Sequence, residues 1–282
     1  MFNLTTQELQ AYINEDIPYF DLTTSLQKCN HTQARMEIYT REDIVVACSE
    51  EAAKIAEHFN CKILSLKPSQ TKAKQQEVLL SYEGEYAQVH QAYRLTQILL
   101  EYSCKIATHA SLMNEKIKAI NPHCELLTTR KTFPFAKKFC IKAAMMGGAM
   151  PHRLGLSETI LFFDAHRVIY DSNTAFYSFV QELKNNIVEK KIVVESETTE
   201  DAIALMQYGA DVLQLDKLSF EDITKIVTYK NENFPQVKIL AAGGININNV
   251  ERYVQAGVDG IVTSWVYQAG MANLGAKFQL KE

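Results

Sequence analysis

From Cys124 onward, short apolar runs alternate with helical segments, and no other feature of this 282-residue chain restricts its fold as much. The runs are CELLTT, TILFFD, KIVVE, DVLQLD, VKILAAGG and DGIVTS; segments with helical spacing separate them at about 135–146, 173–188, 199–208, 219–231 and 247–256. Runs rich in Val, Ile and Leu suit strands buried on both faces, and a helix between successive runs is the connection that parallel strands need. Six such units predict a parallel α/β barrel, closed or nearly so. In that architecture the loops leaving the C-terminal strand ends converge on one mouth, and chemistry gathers there.

The strand ends carry charge and glycine in an ordered way. In turn they offer Arg130 and Lys131, Asp164 and His166, Glu195 and Glu197, Asp216 and Lys217, Gly243 and Gly244, and Thr263 and Ser264. His152 and Arg153 fall on the loop before the strand at 159–163. Cations are among the residues a packed core tolerates least, so their convergence reads as an anion site, with arginine forks suited to carboxylate or phosphate. A surface loop salted with basic residues is the plainer alternative. Glu195 and Asp216 could hold Mg²⁺, which needs only one or two carboxylates, or could each pair with a nearby lysine. Gly243-Gly244-Ile245 ahead of a helix could cradle a phosphate or simply turn the chain. A strand-end lysine, Lys131 or Lys217, would form a Schiff base with a carbonyl substrate only if its pKa were depressed.

The first half has a different rhythm. A helix is expected over 4–14 with Thr6 as its cap, followed by an acidic loop at 15–24. Alternating runs between 34 and 82, with a helix at 50–59, predict an α+β half with its own sheet, in which 67–76 is a solvated turn. Residues 86–120 read as one long helix or two in series, with Arg94 as a snorkelling arginine at the core edge. A net charge of −4 argues against a non-specific nucleic-acid binder. Neither a signal-peptide pattern nor a run of membrane-spanning length is present, so a cytoplasmic protein with no membrane partner is expected. The cysteines at 29, 48, 61, 104, 124 and 140 form no C-x-x-C pair and are expected to be reduced, mostly buried thiols.

Thr128-Thr129-Arg130-Lys131-Thr132-x-Pro134, then Gly147-Gly148 and His152-Arg153-Leu154-Gly155-Leu156, resemble the quinolinate phosphoribosyltransferase family. So do Glu15-Asp16, Asp21-Leu22-Thr23-Thr24, Arg94 with Ile106-Ala107-Thr108 after it, Glu195, Leu215-Asp216 and Gly243-Gly244-Ile245. The resemblance spans nearly the whole chain and is strongest to the branch encoded with molybdate transport genes. It implies the type II phosphoribosyltransferase architecture: an N-terminal α/β sandwich domain over 1–110, completed by about 268–282, and an open parallel α/β barrel over 111–267. It further implies a homodimer with shared active sites, a Mg²⁺ cofactor, and transfer from phosphoribosyl pyrophosphate (PRPP) to quinolinate or a related carboxylated nitrogen heterocycle, with release of pyrophosphate. By position, Arg130, His152 and Arg153 match residues that grip the acceptor's carboxylates, and Arg94 matches one supplied by the neighbouring subunit. Lys131 matches a residue between the carboxylate and phosphoribosyl sites, Glu195 and Asp216 match residues near the ribose and Mg²⁺, and Gly243 and Gly244 match the phosphate loop. His166 is carried over with the acceptor site. Departures from the family pattern are Phe163 for a lysine, Ala165 for an asparagine, Leu240 and Ala242 for an acid and a serine, Ser264 for a phosphate-side glycine, and Phe20 for a glycine. Losing a cation lowers the site's capacity for a dianion. A non-catalytic protein of the same fold, binding an oxyanion or anionic metabolite, is the alternative.

Overall fold

The structure, a computed structural model, describes residues 3–27 and 31–281. In chain order the elements are α1 (Thr6–Asp16), α2 (Leu22–Leu26), β1 (Gln33–Thr40), β2 (Ile44–Val45), α3 (Ser49–His58), β3 (Lys62–Leu66), β4 (Lys72–Ala73), β5 (Val78–Glu85) and α4 (Tyr86–Ile120). Then come β6 (Glu125–Thr128), α5 (Lys137–Met146), β7 (Met150–Pro151), β8 (Ile160–Phe162), α6 (Asp164–Arg167), α7 (Asn173–Asn186), β9 (Ile192–Ser196) and α8 (Thr199–Gln207). The chain finishes with β10 (Val212–Asp216), α9 (Phe220–Asn233), β11 (Lys238–Ala242), α10 (Val250–Gln255), β12 (Gly260–Thr263) and β13 (Leu274–Leu280). They fall into two compact units: Met1–Ser111, Thr132–Gly148 and Val266–Glu282 in one, Leu112–Lys131 and Ala149–Trp265 in the other.

The first unit is built on an antiparallel sheet in the order β13-β1-β5-β3. Along β1 the residues Ala34, Met36, Ile38 and Thr40 are buried while their neighbours are less so, the period-2 pattern of a sheet with one face on the core. α3 and α4 supply the other half of that core through Ile55, Leu95 and Leu100. The cap of α1 lies one residue before the expected Thr6: the Thr5 hydroxyl accepts from the Glu8 N–H at 3.3 Å while Glu8 Oε2 accepts from the Thr5 N–H at 2.8 Å. α2 replaces part of the expected acidic loop because the Asp21 carboxylate accepts from the backbone of Thr23 and Thr24. Residues 86–120 form one helix, not two in series. The stretch read as a solvated turn contains β4, which pairs with β2, and Lys67 there pairs with Glu77. The five described cysteines are free thiols, four of them buried; Cys29 lies outside the described residues. Burial pushes Cys48, Cys61, Cys104 and Cys124 up to about 12, so none is a ready nucleophile.

α5 lies in the barrel half of the sequence yet belongs to the first unit. Gly147 shows why its end is fixed there: a Cβ at that position would sit 2.2 Å from the Ala107 carbonyl oxygen and 2.6 Å from the Ala110 Cβ. Lys142 on α5 makes an ion pair with Glu51 on α3, with side-chain exposures of 3% and 0%. The second oxygen of Glu51 is buried without a hydrogen-bond partner.

The second unit is a parallel sheet in the order β7-β6-β12-β11-β10-β9-β8. The first barrel strand, β6, pairs with the last, β12, and the sheet ends at β7 and β8, which are consecutive in the chain but do not pair. It is an open half-barrel of seven strands; the expected six gain β7, which is too short for any periodicity to mark. The backbone of His152 donates to Thr128 at 2.9 Å, so alternation turns the backbone of Pro151 toward the open side, where proline has no N–H to offer. Inside, Leu127, Val193, Val212, Leu240, Ala242 and Val262 pack as one apolar layer with Leu161 against it. No helix among the described residues is long and apolar enough to cross a membrane.

Removing one partner of a buried ion pair leaves an uncompensated charge. Lys142→Met alone should therefore cost about 3–5 kcal/mol in urea unfolding. Adding Glu51→Gln to it should restore most of that loss.

Candidate active site at the mouth of the half-barrel

Strand alternation dictates what stands above the apolar layer. Two residues beyond Leu161, Val193 and Val212 on the same inner face come Phe163, Glu195 and Gln214, and two further along β10 comes Asp216. The parallel register sets Gln214 beside Glu195 and Asp216 beside Ala242. The site is thus the first polar layer above an apolar interior.

Its acidic half is compact. Carboxylate oxygens of Glu195, Glu197 and Asp216 all lie within 4.8 Å of one another. The Gln214 amide donates to Glu195 Oε2 at 2.7 Å. Burial pushes the Glu195 carboxyl up, and the charges of Asp216 and Glu197 add to that push. Lys217 Nζ lies 3.2 Å from Asp216 Oδ2, and this contact holds its ammonium above the usual lysine range. A Schiff-base lysine needs the opposite shift, so Lys217 does not suit that role. Gly243 has φ +91°, and a Cβ there would stand 2.7 Å from Asp216 Oδ1 and 2.5 Å from Lys217 Cγ. The loop that follows is tied by Asn246 and Asn249, whose side-chain amides both donate to the Gly244 carbonyl at 3.2 Å. Ser264 is half-buried just past β12, next to Thr263, whose hydroxyl donates to the Ile245 carbonyl at 2.7 Å.

The cationic half lies where the barrel fails to close. Arg130, Arg153, Leu156, Leu161, Phe163 and His166 are among the residues lining a cavity of about 520 Å³. Burial and then the neighbouring Arg130 push Arg153 below its ordinary value, so two guanidinium groups crowd one space, which Glu158 and Lys190 also line. His166 Nδ1 accepts from the Phe163 N–H at 3.2 Å, and the two rings meet edge to face with centroids 4.1 Å apart. His152 is held below the usual histidine range by burial and by Arg153, but it does not line this cavity, and neither does Lys131. Arg94 lies in the first unit, its guanidinium 4.7 Å from the centre of the Tyr93 ring.

A second cavity of about 220 Å³ takes its walls from Asp164, Arg167, Glu195, Glu197 and Asp201, among others. Phe163 and His166 face the first cavity and their chain neighbours Asp164 and Arg167 the second, so the 163–167 turn is a shared wall. Arg167 anchors that wall through both nitrogens of its fork to Asp201, at 3.0 and 2.7 Å, with its guanidinium 4.6 Å from the centre of the Phe176 ring. Burial pushes the Asp201 carboxyl up, yet hydrogen bonds from Arg167, Tyr177 and Ser196 outweigh it and hold the group below the ordinary aspartate value.

Arg167, Asp201 and Gln214 escaped the reading from sequence. The period-2 face of β10 marks Gln214 once Asp216 is suspected; no local signal pairs Arg167 with a residue one strand and one helix away. Arg167→Met should cost about 3 kcal/mol at neutral pH, because Asp201 stays behind mostly buried. Because the folded pKa of Asp201 is depressed, its contribution is full above the unfolded value of about 3.9 and is lost as pH falls through the folded one. Urea midpoints of wild type and variant should therefore converge as the pH is lowered below that range.

The model of the quinolinate phosphoribosyl transferase C-terminal domain matches residues 106–272, and that of the N-terminal domain matches 21–104. The chain is 30% identical over 278 residues to "Putative pyrophosphorylase ModD" of Pasteurella multocida, covering 95% of each. It is 27% identical over 261 residues to "Probable nicotinate-nucleotide pyrophosphorylase [carboxylating]" of Methanothermobacter thermautotrophicus, covering 92% of each. In fold it is similar to NadC from Streptococcus pyogenes, with a TM-score of 0.88 at 21% identity over the whole of both chains.

Proposed function

The chain belongs to the quinolinate phosphoribosyltransferase family, and from that premise we propose that it moves phosphoribosyl from PRPP to the ring nitrogen of a carboxylated heterocycle, releasing pyrophosphate. One observation carries the reading: a cavity with two guanidinium groups and a cluster of three carboxylates stand on either side of the 163–167 wall. An anionic acceptor and a sugar that becomes positive as its leaving group departs require charges of those two signs side by side.

Arg130 and Arg153 grip the acceptor's carboxylate through their forks and aim the ring nitrogen at the sugar carbon; this positioning replaces a covalent nucleophile. His152, held below the usual histidine range, serves as a neutral donor until an anion beside it favours its charged form. Lys131 meets the phosphoribosyl side, and Gly243, Gly244 and Ser264 take the phosphate. Glu195 and Asp216 stabilise the positive sugar. The donor set fits Mg²⁺: three hard oxygen ligands lie within 4.8 Å of one another, and one carboxyl is pushed up by burial and, in addition, by the others' charge. When bound by Glu195 and Asp216, the ion would neutralise charge on the pyrophosphate. With quinolinate as acceptor, the carboxyl beside the ring nitrogen leaves as carbon dioxide, its electron pair passing to the pyridinium, which then takes up a proton.

Phe163 contributes an aromatic wall and no charge, so a monocarboxylate suits the cavity better than a dianion. Pyrophosphate release from Mg²⁺-PRPP should appear with at least one acid in a panel of pyridine and related carboxylates. Arg130→Ala should lower kcat/KM for that acid by about a hundredfold, the worth of a lost charge-assisted bond. Phe163→Lys should shift preference toward quinolinate. Release with no acid in the panel, together with tight binding of an oxyanion, would replace this reading with that of an anion-binding protein.

The same reading makes the protein a homodimer in which Arg94 serves the partner's site. Mixing inactive Arg94→Ala and Arg130→Ala chains should restore about a quarter of wild-type activity, since half the dimers formed at random are mixed and each mixed dimer keeps one intact site. No recovery on mixing would place Arg94 outside the reaction.

A further inference from the structure

Gln214 is a polar side chain on the inner face of the half-barrel that the reaction above leaves unused. It is 7% exposed, with Val212 of the apolar layer on one side along β10 and Asp216 on the other. A glutamine offers two donors and a carbonyl acceptor, and burying them without partners is costly. Its nitrogen is matched by Glu195 Oε2 at 2.7 Å, while its Oε1 is buried with no hydrogen-bond partner among the described residues. An ionised carboxylate only accepts, so the amide must present its nitrogen to Glu195, and the open group must be the acceptor. A methionine or leucine would fill the same space without an unmet group.

Tying one oxygen of Glu195 also has a geometric effect. Three carboxylates within 4.8 Å repel one another, and an untethered Glu195 would rotate away from Glu197 and Asp216. The amide stops that rotation and leaves the other oxygen of Glu195 for a ligand. We propose that Gln214 is a positioning residue for a divalent cation at Glu195 and Asp216: its nitrogen fixes Glu195, and its Oε1 accepts from an O–H group that the loaded site brings in. That O–H belongs either to water on the cation or to a hydroxyl of the sugar. The inference rests on the assignment of Glu195 and Asp216 as cation ligands.

The test is titration of the full chain with Mn²⁺, following free ion by electron paramagnetic resonance, with and without PRPP. Wild type is compared with Gln214→Met, Gln214→Leu, Glu195→Gln and the Glu195→Gln/Gln214→Met pair, each with its thermal midpoint measured. Gln214→Met should weaken Mn²⁺ binding roughly tenfold, as loss of a partner behind a metal ligand does, while leaving the fold intact. In the Glu195→Gln background the same substitution should do much less, an outcome that a purely structural role for Gln214 would not give. A loss seen already without PRPP shows that Gln214 acts on the cation alone, through its hold on Glu195 or a cation-bound water, and a loss seen only with PRPP identifies a hydroxyl of the sugar as the partner of Oε1. Wild-type affinity in both Gln214 variants under both conditions overturns the proposal and leaves the transferase reading standing. If the wild-type chain takes no Mn²⁺ with or without PRPP, both the proposal and the assignment of the cation ligands fall.

Discussion

The barrel cannot close, and the placement of the candidate site follows from that constraint. β7 and β8 are consecutive in the chain yet lie at opposite ends of the sheet order. Open edges invite mispairing, and these two are blunted in familiar ways: β7 has two residues, one of them proline, and β8 has three. The segment between them cannot serve as a ladder. Arg153, Leu156 and Thr159 from that segment, with Ile160 at the start of β8, instead wall the larger cavity. An opening that would be a defect in a closed barrel instead borders a cavity whose walls carry Arg130, Arg153 and Lys190 beside Glu158.

Charge in this unit is sorted by the turn that leaves β8. Residues 163 and 166 look into the space holding Arg130 and Arg153, whereas 164 and 167 look into the space holding Glu195 and Glu197. Such a turn must be held firmly, because a small displacement would let the two sets of charges neutralise each other. The Arg167 fork on Asp201 does this, and the aromatic rings of Phe176 and Tyr177 flank the guanidinium. The α7 and α8 helices thereby support the site and also wall it, since Asn173 of α7 and Asp201 of α8 line the second cavity.

Much of this was legible in the chain itself, for identifiable reasons. Parallel strands announce themselves by unbroken apolar runs, so β6 and β8 through β12 were visible, and the charges after them marked the mouth. The resemblance supplied the openness of the barrel and drew attention to Arg94, Phe163 and Ser264, which carry no local signal of their own. β7 and α6 were invisible because two or four residues hold no period. The allegiance of α5 was hidden for another reason: periodicity reveals that a helix has an apolar face but not which body that face meets. Gln214 sits in a run that otherwise reads as pure core, and only its 2.7 Å bond to Glu195 shows what the amide does.

The pairing of β13 with β1 has a consequence for how the chain is made. β1 needs neighbours on both sides, and one of them, β13, comes from Leu274–Leu280, far along the chain. During synthesis the ribosome delivers Met36 and Ile38 long before their partners Phe278 and Ala276. Until β13 emerges, β1 can pair with β5 and β5 with β3, but the other edge of β1 stays bare; in the half-barrel β6 waits in the same way for β12. Nascent chains stalled shortly before β13 would hold β1 with one edge unpaired and would lean on chaperones for as long as that edge stays open.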